Sequence, residues 1–222
     1  MKPKALTRFI KINRRMWAVV VLLMVTSAIL HAQTDTQMRK RNFFNWALGI
    51  GHNAADSSRW RSVNVGIFSA VDTLYGLQIG GISSITEQEM KGVSIAGLFA
   101  AGGGRLKGVQ TSLGMNVFGG KMRGWQVAGI SNVAHYIEGV QLSGFANITE
   151  SSFRGLQFSP FTNIAMGVKK GAQISGLANI ASETMRGLQL GTYNYADTLT
   201  GLQIGLLNIA LQQPKGLQIG II

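Results

Sequence analysis

The 222-residue chain has no cysteine, three prolines, three histidines and nine carboxylates, and each shortage removes a class of function. Without cysteine there is no disulfide framework, thiolate nucleophile, zinc knuckle or lipidated thiol. His31, His52 and His135 and the few scattered acids leave little material for a metal cluster or an acid–base pair, so neither enzyme activity nor a cofactor is expected. Charged residues make up 14% of the chain and hydrophobic ones 46%, a balance foreign to disordered chains. Glycine is the one excess: 29 residues, about twice the usual share of roughly 7%. No Gly-X-Y period accompanies them, which excludes collagen.

The net charge of +12 divides unevenly. Lys2, Lys4, Arg8, Lys11, Arg14 and Arg15 precede an apolar run from Met16 to Leu30, and Leu30-His31-Ala32 closes it. A basic segment, an apolar stretch of about 15 residues and a small residue make a secretory leader over 1–32, cut between Ala32 and Gln33. An uncleaved anchor fits less well, because a helix needs about 20 apolar residues to cross a bilayer. Six of the 21 basic residues belong to this leader and none of the nine acids does, so the exported chain carries a formal +6. Export leaves nucleic acid without support as a partner. It points instead to the outer membrane or cell surface, and less to the periplasm.

Beyond the leader and an N-terminal strand or cap region, 33–61, tandem repeats occupy 62–222. In the cap region Phe44 to Ile50 alternate like a first strand. Ten units open at Gly76, Gly92, Gly108, Gly124, Gly139, Gly155, Gly171, Gly187, Gly201 and Gly216, spaced 14 to 16 residues apart. Counting from that glycine, positions 2, 4, 7 and 10 are apolar, position 3 is Gln in nine of ten units, and position 9 is often Asn. A further apolar residue stands two before most of the glycines. No helical period fits, and glycine costs a helix about 1 kcal/mol per residue. The units are therefore read as all-β.

Two architectures compete. In an outer-membrane meander barrel, a pore or anchor, each unit is one tilted strand and a turn. In a β-solenoid each unit is one coil of about 16 residues. The units opening at Gly187 and Gly201 are one residue short near position 5, which places Asn194 and Asn208 one position early. Losing a residue inside a strand would turn every later side chain to the opposite face, whereas a corner absorbs the loss. That argues for the solenoid, with strands expected at positions 2–4 and 7–10, corners at the opening glycine and at positions 5–6, and the apolar positions inside. The last unit runs seven residues, Gly216 to Ile222. An uncapped C-terminal edge there would allow self-association.

The unit Gly-apolar-Gln-apolar-small-Gly-apolar-x-Asn-Ile, seen whole in Gly171 to Ile180, resembles the short surface repeats of uncharacterised exported proteins of Gram-negative bacteria, notably Bacteroidetes and spirochaetes. The resemblance covers about residues 62–222. It implies a surface or outer-membrane location and no defined reaction.

The candidate site is a row. Lys91, Lys107, Arg123, Arg154, Lys170, Arg186 and Lys215 each stand immediately before an opening glycine, interrupted by Tyr75, Glu138 and Thr200. Stacked coils would bring them into a stripe with a step of about 4.8 Å. Such a stripe is tolerable as a solvated edge and is also suited to lipopolysaccharide, anionic lipid or acidic polysaccharide. The Gln row is expected to form an amide ladder rather than an exposed glycan-binding row, and the Asn row a turn or a second ladder. Four smaller features are read as structural: the corner Ala101 to Gly104, a His135–Glu138 pair, the sequon Asn147-Ile148-Thr149, and Asp72 and Asp197 in tightened turns.

Overall fold

The computed structural model describes residues 50–53, 62–167 and 169–221, which fall within one compact unit, Asn45–Ile222. The leader and residues 33–49 and 54–61 of the cap region lie outside the described residues. Every element among those described is a strand, and the ladders between them are parallel. Gly155 pairs with Gly139 on one side and Gly171 on the other, and Gln157 likewise with Gln141 and Gln173. The chain thus returns over its own path once per repeat. This is a β-solenoid of coils of about 16 residues, and the meander barrel, whose neighbouring strands would be antiparallel, is excluded. Stacking reaches back beyond Ser62, since Ile50–Asn53 pairs with Phe68 to Val71.

Each coil has two walls. The longer runs from three residues before the opening glycine to position 5, as in Arg105–Ser112; the shorter covers positions 8–11, as in Ala146–Thr149. The strand therefore passes through the opening glycine, where a corner was expected. That backbone is open to glycine alone: at Gly155 φ is +134°, and a Cβ there would collide with the Gly139 carbonyl oxygen. The second corner falls at positions 6–7, one residue later than the expected positions 5–6. With one residue fewer, Asn194 still pairs with Asn179, and Leu190 with Ile204.

The largest correction concerns which side faces in. Along Arg105–Ser112 the buried residues are Leu106, Gln110 and Ser112, while Lys107, Val109 and Thr111 face outward. The apolar residue two before the glycine is an inward anchor, and strict alternation then turns Gln at position 3 inward and positions 2 and 4 outward. The lumen is consequently filled by one large apolar side chain in each of eight coils (Leu74, Met90, Leu106, Met122, Ile137, Phe153, Met185, Leu199), by small residues at positions 5 and 11, and by the amides. Where the anchor is joined by Phe118, the coil beneath makes room with Gly102, whose added Cβ would meet the Phe118 ring.

Burial of the amides costs little because each satisfies the next. Gln141 Nε2 donates to Gln126 Oε1 at 2.8 Å, Gln157 to Gln141 at 2.7 Å and Gln173 to Gln157 at 2.8 Å. The Asn row runs the other way: Asn132 Nδ2 donates to Asn147 Oδ1, and Asn147 to Asn163, both at 2.9 Å. The Asn side chains also reach the backbone of the next coil beside its corner, as Asn147 does by donating to the Phe158 carbonyl at 2.8 Å. The two ladders donate in opposite directions along the stack, so their amide dipoles oppose one another.

Candidate anionic-surface contact

Lys91, Lys107, Arg123, Arg154 and Arg186 each stand between a buried apolar anchor and a glycine, so strand alternation turns their side chains outward. Lys91 pairs in register with Lys107, Lys107 with Arg123, Arg154 with Lys170, and Lys170 with Arg186. Glu138 fills the level between Arg123 and Arg154, and Thr200 the level between Arg186 and Lys215. All seven basic residues are exposed. They form one continuous row on the outward side of the longer wall.

Acidic partners meet the row at two places, both in its N-terminal half. Arg123 Nε donates to Glu138 Oε2 at 2.6 Å, and the Tyr136 hydroxyl donates to Glu138 Oε1 at 2.6 Å. The Tyr136 hydrogen bond, with Arg123 second among the favourable contacts, holds the Glu138 carboxyl below its ordinary range. Lys91 lies 3.1 Å from Glu89 and 4.9 Å from the Tyr75 ring centroid. Glu89 raises the Lys91 ammonium, while the Tyr75 hydroxyl and then Lys91 lower the Glu89 carboxyl. Among the described residues these are the ion pairs that involve the row.

Two basic residues escaped the sequence reading. Arg105 and Lys121 stand three before their glycines, on the same outward parity, and pair with each other in register. Lys121 Nζ lies 4.7 Å from the Tyr136 ring centroid. Parity was the available signal, since residues one and three before a glycine share a face.

Beside the basic row lie the outward apolar rows at positions 2, 4 and 7. Trp125 is 54% exposed, Phe145 52% and Leu177 54%, and the Phe145 and Phe161 rings lie 4.7 Å apart at the corner. At the two shortened units an open groove of about 470 Å³ is lined by Leu190, Gly191, Ile204, Gly205, Leu206 and Ile219 among others.

The other candidates are placed plainly. The Gln row is buried, so it forms no exposed glycan-binding surface. Asn147 is fully buried, which removes it as a glycosylation acceptor in the folded chain. The Gly103 and Gly104 amides donate to the Thr86 and Glu87 carbonyls of the coil below, so that corner is hydrogen-bonded rather than loose. His135 Nδ1 lies 3.5 Å from Glu150, not against Glu138. Asp197 accepts from the Tyr195 hydroxyl at 2.6 Å rather than serving its own turn, and burial, reinforced by this bond, pushes that phenol above its usual range. No group of three or more His, Cys, Asp or Glu gathers among the described residues. Comparison with protein-family models, with curated proteins and with solved structures finds no match.

Proposed function

We propose that the chain is a non-enzymatic, exported envelope protein, a rigid scaffold or binding module that associates with anionic components of the outer membrane or cell surface. The observation that carries this reading is the exposed basic row, held in register by a ladder whose other side is the core. A row of cations on a stiff wall attracts a polyanion at several points at once, and such contacts add through effective concentration where scattered charges would not. The leader motif over 1–32 supports export. Lipopolysaccharide, anionic lipid and acidic polysaccharide share the required chemistry, a repeated negative charge on a surface.

Replacing Arg123, Arg154, Lys170 and Arg186 together by Gln tests it. These side chains lie outside the core, so the β-sheet circular dichroism should be unchanged. Binding to lipopolysaccharide at low salt should fall at least ten-fold, and binding of the parent should weaken steeply as salt rises, since exposed charges are screened beyond about 8 Å at physiological ionic strength. Equal binding by parent and variant would reduce the row to a solvated edge.

A further inference from the structure

The unexplained feature of this solenoid is its exterior. The basic row from Lys91 to Lys215 spans eight coil steps, about 38 Å at the spacing of β-strands. Beside it, over the same length, run the outward residues of positions 2, 4 and 7. Five residue steps of roughly 3.3 Å from position 2 to position 7 bound its width at about 16 Å, so the apolar face is on the order of 600 Å², the upper end of what is typical of a monomer's largest, often functional patch. Its exposed members are large: Trp125, Phe145, Phe158, Phe161, Leu177 and Leu206.

We infer that this face enters the acyl layer of an anionic lipid leaflet, with the solenoid lying on its side and the basic row at headgroup level. Charge complementarity selects the occupant. A lipid leaflet alone presents a plane of phosphate beside a plane of hydrocarbon, which is the order in which this wall presents cations and then apolar side chains. A second copy of the chain would bring no acidic row to meet the basic one: Glu138 is the single acid in the row, and it is already engaged by Arg123 and Tyr136. A soluble polysaccharide would meet the charges and leave the apolar rows in water. Trp125 adjoins Arg123 across Gly124, where an amphipathic indole suits the boundary between headgroup and chain. The inference rests on the envelope reading above and narrows its partner to lipid.

The absence of cysteine makes the test direct, because one introduced thiol is the only one in the chain. Full-length protein carrying Leu177→Cys, or Glu183→Cys as an exposed control off this face, is labelled with an environment-sensitive fluorophore. It is then mixed with vesicles of phosphatidylcholine containing about a third phosphatidylglycerol, a fraction chosen for a strong negative surface potential. The leader's charges are common to every arm. Emission at position 177 should rise several-fold and be quenched by spin labels in the acyl chains, with no change at position 183. Replacing Phe145, Phe161 and Leu177 by Ser should lower vesicle partitioning about ten-fold while leaving binding to soluble dextran sulfate unchanged. Salt-reversible co-sedimentation with no change at position 177 would overturn the insertion and leave the basic-row reading standing. A full rise at 177 in the row variant would overturn that reading instead. A concentration-dependent rise without vesicles would assign the face to a second copy and overturn the inference.

Discussion

The lumen holds two kinds of column that differ in continuity. Among the described side chains the apolar column forms two clusters, one from Val71 to Ala165 and one from Ala181 to Leu199. Between them the residue two before the opening glycine is Lys169, whose backbone pairs in register with Phe153 and Met185. The amide columns cross the same level without interruption: Gln157, Gln173 and Gln189 are linked in sequence, as are Asn163, Asn179 and Asn194. Apolar packing is non-directional and tolerates a gap, because neighbouring side chains above and below still exclude water. A hydrogen-bonded ladder specifies which residue meets which, so it holds register where the packing is interrupted.

The sharpest way to break the comparison is at that level. Asn163→Leu removes the donor to Asn179 Oδ1 and to the Ile174 carbonyl, and the acceptor for Asn147. Leaving two or three buried groups unpaired at about 1–3 kcal/mol each should cost about 4 kcal/mol in urea denaturation. The control Met122→Leu, an equally buried but volume-conserving change in the apolar column, should cost less than about 1.5 kcal/mol. Equal losses would show that the columns do the same job.

A cycle at Gly102 and Phe118 measures how locally the apolar column packs. Phe118→Ala should cost about 3 kcal/mol through cavity formation. Gly102→Ala alone forces its Cβ into the Phe118 ring and should destabilise, whereas on the Phe118→Ala background the methyl enters vacated space. Thermal melts should therefore give a coupling on the order of 1 kcal/mol or more; strict additivity would mean that the ring relaxes freely.

The smallest expected effect is a gain. Lys169→Met places an apolar anchor at the register position shared with Phe153 and Met185. Joining the two clusters should add about 1 kcal/mol, read as a higher urea midpoint at unchanged slope. A loss would show that this level needs the lysine.

Much of the architecture was legible along the chain. The period, the glycine column and the one-residue deletions before Asn194 and Asn208 pointed to stacked coils, and the ladder pairings bear this out. The basic row was legible as well, because its members occupy one repeat position. Less legible was the inward side, since the apolar set at positions 2 and 4 and the Gln set at position 3 are equally periodic. Composition favoured the wrong one. The Glu138 clasp was also hidden, since it depends on Arg123 and Glu138 meeting across coils 15 residues apart.

What the sequence by itself determined is the coil: a repeat close to 16 residues, a glycine where no Cβ fits, and a corner that can shed a residue. These are local properties of backbone sterics and spacing. Only the tertiary structure decided that the amides turn inward and that the leucines, valines and aromatic rings of positions 2, 4 and 7 turn out. A lone Gln has no reason to be buried; a column of them does, because each coil supplies the hydrogen-bond partner that the next one needs.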